Sequence, residues 1–244
     1  MSGDWIPADW PAPDNIVAGT TTRVGGVSTC VFESLNLGAH VGDDPTDVAE
    51  NRSRFVTMCD LPGEPDWLTQ VHGTAVSVAG ETSVAEADAT IARHPAAVVA
   101  VLTADCLPIL LCARSGKEVA AIHGGWRGLA AGVVATTVSR MTTAHGELMA
   151  WLGPAISQSA FEVGDEVRQA FVDLDASAGK CFEPNERGRW QADLFGLARL
   201  QLRAAGVVAV YGGEYCTYRD SARFFSYRRD GECGRMASFI CQKR

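Results

Sequence analysis

Three residues of this 244-residue chain carry metal-competent side chains at sites that read as strand ends or tight turns. They are His72 in LTQVHG, Cys106 in TADCLP and His123 in AAIHGGWRG. Two imidazole nitrogens and one thiolate leave the fourth tetrahedral position of a zinc ion open to water or substrate. That is the pattern of a catalytic site rather than a structural one. Zinc would also hold Cys106 as the thiolate. The same residues admit a metal-free reading, with Cys106 as nucleophile and His123 as its general base. An ordinary reading stands beside both, because buried cysteine is common and a histidine before glycine is often a turn residue. The three are far apart in sequence and match no compact metal motif, so spacing alone does not choose.

Other polar residues are candidates for roles around this trio. Asp105 adjoins Cys106 and suits a ligand-orienting acceptor or a general acid/base; an aspartate bonding its own turn is the alternative. Gly124 and Gly125 let the backbone approach a ligand closely. The helix expected after them offers free N–H groups to an anion, with Arg127 at its start. Arg23 in TTRVGGVS and Arg52 in ENR present planar donor forks suited to phosphate. Asn36 in SLNLGAHVGDD is a further candidate substrate contact. A solvated arginine or a simple ion pair is the default for Arg23 or Arg52 taken singly. Near the C-terminus, FFSYRR places aromatics beside arginines, either as a wall that stacks a purine base or as a core edge with snorkelling cations.

The elements that must position these groups follow from apolar patterning. Residues 97–102, 107–112 and 118–122 are continuous apolar runs, as in buried strands. A tight turn is expected at His123-Gly124-Gly125, followed by a packed helix over 129–141. A short strand ends at WLGP (151–154), amphipathic helices fit 164–174 and 192–205, and strands fit 207–211 and 236–241. Gly206 is a stop signal for the second of these helices. A further helix starts near Pro45, and residues 1–15 read as an extended N-terminal segment. Mixed strands and helices indicate an α/β or α+β fold in one domain spanning 1–244.

Composition narrows the classes. Hydrophobic residues are 47% and charged residues 20%, which suits a globular core and not disorder. The net charge of −8, with no Lys/Arg run beyond two, argues against a nucleic-acid partner. The N-terminus lacks a secretory pattern and no apolar run is long enough for a membrane span, so a cytoplasmic location is expected. Eight cysteines without a Cys-x-x-Cys pair read as reduced thiols rather than disulfides or a zinc ribbon. A homodimer is the candidate assembly.

Taken together, the segments TTRVGGVS, SLNLGAHVGDDP, LTQVHG, EADATIA, LTADCLPILL, AAIHGGWRGLAAGV, WLGPAIS, FEVGDEV, ADLFGLARLQL and YCTYRDSARFFSYRRDGECGRMASFI run in order from about Thr20 to the C-terminus. In this the chain resembles the YfiH family, also called the laccase-domain or zinc-dependent purine nucleoside phosphorylase family. The resemblance implies central mixed β-sheets flanked by helices, similar in layout to toxin deamidases that use a Cys–His pair. It implies one zinc ion per chain on His72, Cys106 and His123. It also implies phosphorolysis of adenosine, guanosine, inosine and methylthioadenosine, adenosine deamination, and purine nucleosides and phosphate as small-molecule partners. Some enteric members are linked instead to peptidoglycan precursors, which fits a cysteine hydrolase or amidase. The copper-oxidase label of the family is disfavoured, since five histidines without a His-x-His pair are few for several copper ions. Two positions depart from the usual motifs: Gly124 replaces Ala in His-Ala-Gly-Trp, and Ser157 replaces Gly in Pro-Ala-Ile-Gly.

Overall fold

The computed structural model describes residues 5–81 and 86–243. Three sheets organise them. An antiparallel sheet takes the order Trp5–Pro7, Ile16–Thr21, Met236–Gln242, Val98–Thr103. A six-stranded mixed sheet runs Ala209–Gly212, Leu148–Leu152, Leu107–Ala113, Val119–Gly124, Ala89–Ala92, Val76–Val78. Its inner pairs are antiparallel and its two outer pairs are parallel. A small third sheet joins Phe182–Pro184, Trp190–Ala192 and Glu162–Val163.

Side-chain alternation stacks these sheets. Val99 and Val101 point to one face of their strand, and pack with Ile240 against Leu110, Cys112, Ala121 and Trp151 of the six-stranded sheet. Val98, Ala100 and Leu102 point the other way, into a cluster with Ala237, Phe239, Leu37 and Phe55. Phe55 belongs to the helix Pro45–Met58, which covers that outer face. The far face of the six-stranded sheet presents Ile91, Leu107, Ile109, Leu111 and Ile122 to helices Val133–Arg140 and Leu194–Ala204. The result is a four-layer α/β/β/α domain. Both sheets are covered on both faces, which is why the central strands read as unbroken apolar runs.

Two expectations change in detail. The helix expected over 129–141 is two helices, Trp126–Ala131 and Val133–Arg140, broken at Gly132 with φ +92°. A left-handed residue ends the first helix, and glycine adopts it without steric cost. The turn expected at His123 is strand instead: Val119–Gly124 continues through it, with His123 opposite Pro108. The other elements lie within a few residues of expectation, and Gly206, φ +88°, follows the helix Leu194–Ala204. In the N-terminal segment Trp5–Pro7 is an edge strand, while residues 1–4 lie outside the described residues. Among the described residues no helix is long and apolar enough to cross a membrane. All eight cysteines are free thiols.

Phe239 is fully buried between Phe55, 5.2 Å away edge-on, and Trp5, 5.6 Å away. Replacing it with alanine removes the contact between the outer helix and the antiparallel sheet. Phe239→Ala is expected to cost about 3–5 kcal/mol, read as a lower urea midpoint at unchanged slope.

Candidate metal centre

Strand register brings the distant residues together. Leu107 pairs with Gly124, so Cys106 emerges next to Gly125. Ala89 pairs with Ile122, so Asp88 lies opposite His123, and the His123 N–H donates to the Asp88 carbonyl at 2.7 Å. A bridge between Thr69 and Glu86 runs the 69–73 segment alongside the same strand start. Three stretches of chain thus meet at one end of the six-stranded sheet.

Asp88 ties this junction. Its carboxylate, fully buried, accepts the N–H groups of Val71 at 3.2 Å, His72 at 2.9 Å and Gly73 at 2.6 Å. These consecutive donors form an anion-binding nest around His72, whose φ of +61° is left-handed and strained for a non-glycine residue. The same carboxylate lies 2.7 Å from His123 Nδ1. That bond fixes the imidazole tautomer and leaves Nε2 as the free nitrogen. Burial alone would raise the Asp88 carboxyl, but the His123 bond and charge and the backbone donors bring it below its ordinary value.

The donor atoms of His72, Cys106 and His123 all lie within 4.8 Å of one another. Cys106 Sγ is 3.7 Å from His72 Nε2, and the two imidazole centroids are 4.7 Å apart. Burial alone would raise the Cys106 thiol, but the His123 charge and hydrogen bonds from both histidines pull it down to about 6. His123 moves oppositely. Burial would lower it, but the Cys106 charge and the Asp88 bond push it up to about 9. The metal-free pair is a thiolate facing an imidazolium. Gly125 keeps the space open: a Cβ there would stand 2.6 Å from His72 Cδ2 and 3.2 Å from Cys106 Sγ. Converging nitrogen and sulfur donors, with no side chain between them, fit a tetrahedral metal ion.

The trio lies in a cleft of about 500 Å³, lined also by His40, Gln70, Asp105, Trp126, Arg127, Tyr227, Arg228 and Arg235. Of the residues expected to contact substrate or phosphate, the cleft receives Arg127. Its guanidinium stacks 4.4 Å over Trp126 and makes no hydrogen bond with any described residue. Arg23 and Arg52 do not line the cleft. Arg23 is held by the carbonyls of Glu33 and Ser221 and lies over Phe225. Arg52 bonds the Leu37 carbonyl and lies over Trp67. Asn36 is fully buried, and its Oδ1 accepts from Gly38 N and Arg235 N, both at 2.9 Å. It braces the cleft wall instead of reaching into the cleft. Asp105 reaches the cleft, but its oxygens accept from Thr217 Oγ1 at 2.6 Å and Arg228 N at 2.7 Å. Those bonds fasten the C-terminal loop beneath Cys106. In the FFSYRR segment Tyr227 and Arg228 line the cleft, whereas Phe224 and Phe225 are core.

Asp88, His40, Gln70 and Arg235 are the residues that sequence reasoning missed. Asp88 had a visible signal, an acid immediately ahead of a buried apolar strand in EADATIA. A larger, shallower depression of about 630 Å³ lies along the edge strand Ala209–Gly212. Its arginine, Arg199, is tied to the carbonyls of Val210 and Gly212.

Comparison with known proteins shows the family and the fold. Residues 17–243 match the family described as multi-copper polyphenol oxidoreductase laccase. The chain belongs to this family. A family relative from Pseudomonas aeruginosa, named purine nucleoside phosphorylase, is 52% identical and covers 97% of both chains. The Escherichia coli relative, purine nucleoside phosphorylase YfiH, is 50% identical over 96% of this chain and 97% of its own. A solved Neisseria meningitidis structure described as DUF152 superposes with a TM-score of 0.93 at 48% identity, covering 99% of this chain and 100% of its own. YlmD from Geobacillus stearothermophilus gives 0.92 at 33%, covering 100% of this chain and 98% of its own. The mixed α/β single domain is therefore the fold of the YfiH and DUF152 proteins.

In metal-free protein, ultraviolet titration is expected to show the Cys106 thiolate forming as pH rises through about 6. An unperturbed thiol would form it near about 8.5. The Cys106→Ser variant should lack that step.

Proposed function

We propose that this chain is a zinc-dependent purine nucleoside phosphorylase that also deaminates adenosine. Adenosine, guanosine, inosine and methylthioadenosine are its substrates. The observation that carries the reading is the His72, Cys106 and His123 donor set at the floor of the cleft. The names of relatives about half identical to it, purine nucleoside phosphorylases, support the substrate class.

His72, Cys106 and His123 would hold one zinc ion, which when bound supplies Lewis-acid polarisation of a substrate oxygen or of water. Asp88 orients His123 and locks the His72 turn, so both nitrogens are preset before a ligand arrives. Arg127, Arg228 and Arg235 give the cleft a positive lining in a chain of net charge −8. Such local charge concentrates phosphate despite the global sign. Arg127, free of hydrogen bonds to described residues, is the phosphate contact. Trp126 and Tyr227 offer aromatic faces to the purine. Eight free thiols suit the reducing cytoplasm.

A second reading has its own observation. Cys106, His123 and Asp88 stand in the order of nucleophile, base and orienting acid, as in a cysteine hydrolase or amidase, with peptidoglycan precursors as substrates. Zinc separates the two, because a thiolate held by metal is not a free nucleophile. A multi-copper oxidase is disfavoured, since the described residues hold one His/Cys donor cluster.

Zinc-loaded protein given inosine and phosphate is expected to release hypoxanthine and ribose 1-phosphate. With adenosine it should release adenine when phosphate is present and form inosine when it is not. No base and no inosine from a zinc-loaded sample rejects the reading. Arg127→Ala should raise the KM for phosphate by roughly 10-fold, the loss of one charge-assisted contact, with a smaller change for the nucleoside.

A further inference from the structure

The cleft contains one proton-carrying imidazole outside the metal-donor trio. His40 lines the same cleft as Cys106 and His123, and its ring makes no hydrogen bond with any described residue. Its position is built. Asn36 donates to the Gly38 carbonyl and accepts from Gly38 N, which sets the loop just before His40. Asn36 also accepts Arg235 N, and Leu37 N donates to the Arg235 carbonyl at 3.1 Å. The segments that carry His40 and Arg235 are thus stitched together beside the trio.

The surroundings disfavour the charged form of His40. Partial burial, then the positive charges of Arg235, Arg52 and His123, push its pKa below the ordinary imidazole value. A neutral imidazole accepts at one nitrogen and donates at the other. The other groups in the cleft are less suited to moving a proton. Asp105 is bonded to Thr217 and Arg228 N, and the arginines stay charged.

Resting on the phosphorylase reading, we infer that His40 is a catalytic residue that passes the proton of hydrogen phosphate to the departing purine. The C1′–N9 bond breaks with its electron pair going to the purine, and a phosphate oxygen forms the new bond to C1′. The phosphate O–H proton goes to one His40 nitrogen. The proton on the other nitrogen goes to purine N7. The products are ribose 1-phosphate and the neutral base, with no net proton gained or lost.

A purine already alkylated at N7 leaves without that proton, which gives the test. Wild type, His40→Ala and His40→Gln are assayed on inosine and on 7-methylinosine, with zinc content measured on each. Both variants are expected to keep zinc, to lose about 100-fold in kcat on inosine, and to retain kcat on 7-methylinosine. Equal losses on both nucleosides, or no loss on either, overturn the relay. Wild-type protein that cleaves neither nucleoside overturns the phosphorylase reading, and this role of His40 with it.

Discussion

One buried carboxylate organises this site. Asp88 accepts three consecutive backbone N–H groups and lies in hydrogen-bond contact with His123 Nδ1, from a position fully closed to solvent. Burying a lone carboxylate costs several kcal/mol, so an unpaired acid here would be protonated or expelled. Four hydrogen-bond partners, each charge-assisted, offset that cost. The bonds run to two segments that are far apart in sequence: the left-handed turn at His72 and the strand end at His123. Without Asp88 the turn loses its nest and the imidazole loses its tautomer.

Layering explains how the junction is held in place. The six-stranded sheet is packed on one face by the antiparallel sheet and on the other by helices. Its strands end at a fixed register, and that register sets Cys106 beside Gly125 and Asp88 beside His123. The cleft wall is held in the same manner. Asn36 joins the 36–38 loop to Arg235, and Asp105 joins the Cys106 loop to Thr217 and Arg228. Asn36, read from the sequence as a substrate contact, and Asp105, read as an orienting acceptor or acid/base group, both make bracing hydrogen bonds in the fold.

How much of this is legible in the sequence depends on the range of the interaction involved. Buried strands such as Leu107–Ala113 declare themselves by composition alone. The trio is recognisable through the family's ordered motifs, though not through spacing, because the three residues converge by sheet register. Gly132 breaks a helix inside an Ala- and Val-rich run that reads as continuous, since a left-handed stop leaves the apolar pattern intact. Gly124 and Gly125 suggest a turn, yet their smallness serves close approach: a Cβ on Gly124 would stand 2.7 Å from the Leu107 carbonyl oxygen. Arg23 and Arg52 suit phosphate by type, but carbonyls and aromatic rings distant in sequence claim them. Asp88 acts on backbone 15–17 residues earlier, a relation no local pattern encodes.

The central claim is that two imidazoles and one thiolate share a single ion. Zinc K-edge X-ray absorption on protein purified without added metal tests it most directly. The expected spectrum contains one sulfur neighbour at about 2.3 Å and two imidazole nitrogens at about 2.0–2.1 Å, with the sulfur shell lost in Cys106→Ser. Zinc surrounded by oxygen alone, or a sulfur shell that survives Cys106→Ser, would contradict it.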